Sequence, residues 1–130
     1  MTQVHAEITL DNPMQAPGKS VSIRALVDTG ALHLCIPEAL CRQLTLAAER
    51  VRRVTFADGR SVDAPYVGPV RVEAAGRTCF VGAMVFGDEV LLGAIPMEDL
   101  DLLVDPARLQ LVPRDPRGPV SMAKGFSATS

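Results

Sequence analysis

The feature that most limits how this chain can fold is SIRALVDTGALHLCIPEAL, residues 22–40. Apolar residues Ile23, Ala25, Leu26 and Val27 run straight into Asp28, Thr29 and Gly30, and apolar residues resume at once. A carboxylate in such a setting must be hydrogen-bonded, neutralised or paired. Gly30 permits a tight turn that brings backbone N–H groups close to the acid. Thr29 adds a hydroxyl able to tie down a neighbouring carbonyl. A carboxyl held rigidly at the floor of an apolar cleft is a candidate general acid or base. The same three residues also fit an ordinary Asx-type turn, in which Asp28 only caps backbone N–H groups.

The rest of the chain reads as short strands and turns. Residues 4–10 alternate as a strand, and DNPMQAPGK (11–19) is a loop rich in Pro and Gly. Residues 20–28 form a second strand and 31–36 a third, with a short helix from Pro37 to about Leu44. Asp58-Gly59 in RRVTFADGRSV signals a hairpin. Strands at 67–74 and 78–86 join at Ala75-Gly76, a helical turn spans 96–100, and LLVDPARLQLVP reads as strand, turn, strand. After Pro113 the composition turns to Pro, Gly and small residues, so 114–130 is expected to be an arm or tail beyond a domain of residues 1–113. This pattern is mostly β, a sandwich or barrel with two short helices.

With 130 residues, 48% of them apolar but only 4% aromatic, one domain must build its core from aliphatic side chains. A net charge of −2 argues against nucleic acid as a partner. No secretory signal and no membrane-length apolar run is visible, so a cytoplasmic protein is expected. Cys35, Cys41 and Cys79 make no disulfide framework and read as buried thiols in a reducing compartment. His33-x-Cys35 with Cys41 matches no established metal-ligand spacing, and neither a metal nor another cofactor is expected.

About sixty residues after the first motif comes VLLGAIPMEDL, residues 90–100. Both stretches carry an apolar pair, a Gly-Ala step and a Pro-Glu-containing segment ending in Leu, an internal echo of two half-motifs. In this order, the pieces VDTGA, PEAL, ADGR and LLGAIPMEDLDLLVDP resemble the retropepsin-like (retroviral-type) aspartic proteases, and most closely their bacterial single-domain members. The resemblance covers about residues 20–112.

It implies a closed, mostly β barrel with one or two short helices, active as a C2 homodimer. Asp28 would be the catalytic aspartate, Thr29 part of a hydrogen-bond lattice joining two active-site loops, and Gly30 a donor of backbone N–H. Ala31 would fill the position often held by Ser or Ala. Leu91, Leu92 and Gly93 would form the second motif that packs on the loop. Ala57, Asp58, Gly59 and Arg60 would form the flap. The helix at 37–44, the extension beyond the last strand and a flap tip with few glycines depart from the viral pattern.

Aspartic-protease chemistry needs two carboxylates sharing one proton. This chain has one D-T-G, and its other acids, such as Asp58, Asp63, Asp88, Asp99, Asp101 and Asp105, lie in no matching frame. The second acid must come from another copy of the chain. The function expected is an aspartic endopeptidase acting on peptide or protein. The alternative is a protease-like module that binds peptide without cutting it.

Overall fold

The computed structural model describes residues 3–56 and 58–115, apart from the Glu49 side chain. In chain order the elements are β1 (Val4–Asp11), β2 (Val21–Val27), β3 (Leu34–Ile36), α1 (Glu38–Gln43), β4 (Ala48–Thr55), β5 (Ser61–Ala74), β6 (Arg77–Val85), β7 (Leu91–Leu92), α2 (Ala94–Asp99), β8 (Leu102–Asp105) and β9 (Gln110–Pro113).

Six strands close on themselves. The order β1-β2-β7-β3-β6-β5 returns to its start through a second pairing of β1 with β5, at Leu10 opposite Val72. Closure leaves a barrel with no free edge among those six strands. β4 hangs outside the ring, paired only to β5, and β8 and β9 form a separate hairpin. The mostly β, closed-barrel expectation with two short helices is borne out.

Aliphatic side chains fill the barrel, as the scarcity of aromatics required. Ile8, Leu10, Leu34, Ile36, Val70, Val72, Leu92 and Leu100 are buried there. Alternation explains how β5 contributes: Val70, Val72 and Ala74 point inward at period two. Val67 also points inward although it lies three residues before Val70. The odd residue is absorbed where the β5–β6 register shifts between Val67 and Val70, around a cis Gly68-Pro69 bond.

Several element boundaries differ from the sequence expectation. The strand expected at 31–36 covers only Leu34–Ile36, because residues 28–33 are spent on the turn around Asp28. Pro37 stands just before α1 with an extended backbone, so it caps the helix rather than opening it. The helical turn expected at 96–100 starts at Ala94, with Pro96 in its first turn, where the missing N–H costs no helical bond. The strand expected at 67–74 is the inner half of a 14-residue strand whose outer half forms the hairpin with β4.

Arg114 and Asp115, at the end of the described chain, are bonded to the barrel. Asp101 is buried between Arg77 and Arg114, and Arg77 also donates to the carbonyls of Leu100, Asp101 and Asp115.

Candidate active site

β2 ends at Val27, and the chain turns sharply at Asp28. The Gly30 N–H donates to Asp28 Oδ1 at 3.0 Å and the Ala31 N–H to the Asp28 carbonyl at 3.0 Å. A Cβ on residue 30 would lie 3.2 Å from that carboxylate oxygen, so glycine allows the close approach. Asp28 is half-buried, whereas Thr29 and Gly30 are exposed. Among the described residues, the Thr29 hydroxyl has no hydrogen-bond partner within the chain, so the internal tie expected of it is not made there.

The second motif grips this turn. β7 runs parallel to β2, with Leu91 beside Leu26 and Leu92 beside Val27. The Asp28 N–H donates to the Leu92 carbonyl at 3.0 Å. In return, the Ala94 and Ile95 N–H groups donate to the Ala31 and Leu32 carbonyls, each at 2.9 Å. The exchange is reciprocal, and it gives the echo between the two sequence motifs a physical basis. Gly93 sits where the two segments cross, and a side chain there would overlap the His33 carbonyl oxygen and approach the Ala31 carbonyl to 2.8 Å.

Above the turn stands the β4–β5 hairpin. Its tip is closed by the Phe56 N–H donating to the Arg60 carbonyl at 2.8 Å, with Gly59 at φ +89°. Asp58 accepts from the Arg60 backbone N–H and side chain, which hold its carboxyl below the usual range. Ala57, the first residue assigned to the flap, lies outside the described residues. Between hairpin and turn is a cleft of about 340 Å³, lined by Asp28, Gly30, Ala31, Leu32, His33, Cys35, Val54, Thr55, Phe56, Asp58, Met84 and Leu91. The structure therefore brings Asp28, Gly30, Ala31, Leu91 and Asp58 to one cavity. Thr29, Leu92, Gly93, Gly59 and Arg60 lie outside its lining.

Sequence reasoning missed part of that lining. Val54, Thr55 and Phe56, at the end of β4, and Met84 on β6 lie far apart in the chain, and nothing in the sequence marks them as lining one cleft. Cys35 was read as a core thiol. It is buried, but it also borders the cleft, and burial together with the nearby Asp28 charge pushes its thiol up to about 11. His33 lies edge-on to Tyr66 at 5.8 Å, and burial, then the Arg52 charge, lower its basicity. The three thiols are free and buried, as expected.

Asp28, clamped by a glycine turn, thus lies under a β hairpin on a closed six-stranded barrel. The chain belongs to the aspartyl protease family, whose model matches residues 13–120. That match bears out the retropepsin-like resemblance. A comparison with curated proteins found no match. Among the described residues, no helix is long and apolar enough to cross a membrane.

Proposed function

We propose that the protein is an aspartic endopeptidase that works as a C2 homodimer, with Asp28 of each subunit meeting at the twofold axis. The observation that carries this reading is the Asp28 carboxylate, fixed by the Gly30 N–H at 3.0 Å and facing a largely apolar cleft. Among the described residues the other acid lining the cleft is Asp58, which is taken up by Arg60, and the sequence holds one Asp-Thr-Gly.

In this reading the two carboxylates share one proton, since like charges so close cannot both ionise. The ionised member takes a proton from a water held between them, and the water oxygen attacks the scissile carbonyl. The protonated member donates to the carbonyl oxygen, and the proton then passes to the leaving amine as the C–N bond breaks. The Gly30 N–H fixes the orientation of the Asp28 carboxylate. Thr29, exposed and without an intrachain partner among the described residues, is free to bond across the axis to the partner's loop. Leu32 and Ile95, both exposed beside the turn, add apolar surface for such a contact. Asp58, Gly59 and Arg60 serve as the flap, with Ala57 completing it, and substrate lies extended beneath the hairpin.

Domain limits at about 1–113, with 114–130 as an arm, remain part of this proposal. Three free, buried thiols support a reducing, cytoplasmic setting. The test is cleavage of a mixed peptide library from mildly acidic to neutral pH by the wild type and by Asp28→Asn. Cleavage lost in the folded variant supports the protease, and no cleavage by either protein at any pH favours the silent binding module.

A further inference from the structure

On β4 the inner face of the hairpin is set by alternation. Arg52, Val54 and Phe56 are half-buried, and Val51, Arg53 and Thr55 between them are exposed. Val54, Thr55 and Phe56 all line the cleft, and by alternation Arg52 and then Arg50 share the side of β4 that carries Val54 and Phe56. Both guanidiniums gather at one ring: Arg52 lies 4.4 Å and Arg50 5.8 Å from the Tyr66 centroid. His33, a wall of the cleft, packs edge-on against that ring from below.

Charge pairing on the hairpin is uneven. β4 and its turn carry four arginines, at positions 50, 52, 53 and 60. Arg53 pairs with Asp63 at 3.3 Å and Arg60 with Asp58 at 2.8 Å. Arg50 and Arg52 have no carboxylate partner among the described residues. Tyr66 holds them there because its ring lies flush on Gly82, where any side chain would collide with it. Two cations without a carboxylate partner among the described residues thus gather at Tyr66, whose ring meets His33 of the cleft wall, with planar donor groups suited to a carboxylate.

We propose that Arg50 and Arg52 form a carboxylate-recognising shelf at one end of the cleft, so that peptides bearing an Asp or Glu side chain there are the preferred ligands. The inference rests on reading the cleft as a peptide-binding site. Arg52 is two strand positions from Val54, roughly 7 Å along an extended chain. The acidic residue therefore sits about two residues along an extended peptide from the one that lies against Val54.

Binding is measured with Asp28→Asn, which holds peptides without cutting them, by fluorescence anisotropy. The ligands are extended peptides that differ only by Glu or Gln at one position, scanned along the sequence. At one or two adjacent positions the Glu form binds about three- to tenfold tighter, the scale of a partly exposed charge-assisted contact. The preference disappears in Arg50→Gln/Arg52→Gln and weakens in Arg52→Lys, which keeps the charge but loses the planar fork and the stacking on Tyr66. Equal binding of Glu and Gln forms at every position, no binding by any peptide, or a preference that survives the double Gln variant overturns the shelf. An undiminished preference in Arg52→Lys does so too. Wild-type cleavage is scored separately: cleavage without a Glu preference sinks the shelf alone, and a Glu preference without cleavage sinks the protease alone.

Discussion

Asp28 and Leu92 are joined by a backbone hydrogen bond of 3.0 Å, from the Asp28 N–H to the Leu92 carbonyl. These residues are far apart in sequence, yet each helps set the other's position. The bond holds the D-T-G turn to the segment that also donates to Ala31 and Leu32. The geometry of the carboxylate is thus fixed by the second motif as much as by its own loop.

Gly93→Ala tests that grip. The added methyl would meet the His33 and Ala31 carbonyls, which belong to backbone and cannot turn away. The variant is expected to lose roughly 1–3 kcal/mol, the usual penalty of overpacking. Chemical denaturation measures the loss, and peptide cleavage by the folded fraction is expected to fall as well. Unchanged stability would show that the two segments are not tightly apposed.

Asp101 offers a pH test remote from the cleft. Burial raises its carboxyl, but hydrogen bonds and charge from Arg114 and Arg77 outweigh this and hold it below its ordinary 3.8. A carboxylate so lowered stabilises the fold above its unfolded value, and that stability is lost as pH falls through its folded value. Asp101→Asn is therefore expected to be clearly less stable than wild type at about pH 7, with the gap narrowing as pH drops below about 4. Urea unfolding at both pH values reads the difference. A gap that stays constant would contradict the lowered carboxyl.

The thiols provide a check on the reading of the cysteines as inert, buried groups. Burial, followed by the charge of Asp28 for Cys35 and of Asp99 for Cys79, pushes these groups up to about 11 and about 12. Both remain protonated near neutral pH, and the thiolate is the reactive form. In the native protein they are expected to react with iodoacetamide far more slowly than in urea. Fast native labelling of Cys35, followed by mass spectrometry, would contradict this.

Much of the fold was legible because its signals are local. The apolar run into Asp28, the Asp58-Gly59 turn and the strands at 67–74 and 78–86 needed no tertiary knowledge. Ring closure by β1 against β5 was hidden, since no residue advertises a pairing partner. The continuous strand from Ser61 to Ala74 was hidden as well, because nothing local joins the strand expected at 67–74 to the hairpin segment before it. At the site, Asp28 and its glycine announced themselves. His33, Tyr66 and Arg52 did not, because each is ordinary in its own segment and acquires meaning only where β3, β5 and β4 converge.

The central claim, that two Asp28 carboxylates from two chains make one site, is tested most directly by subunit mixing. Wild type at fixed concentration is equilibrated with about a ninefold excess of Asp28→Asn, and dimer content is followed by sedimentation velocity. Random exchange leaves about one wild-type subunit in ten paired with another wild type. The expected result is that peptide cleavage falls to about a tenth, in step with that pairing. Cleavage that holds at its starting level, or that comes from protein sedimenting as a monomer, would contradict the shared site.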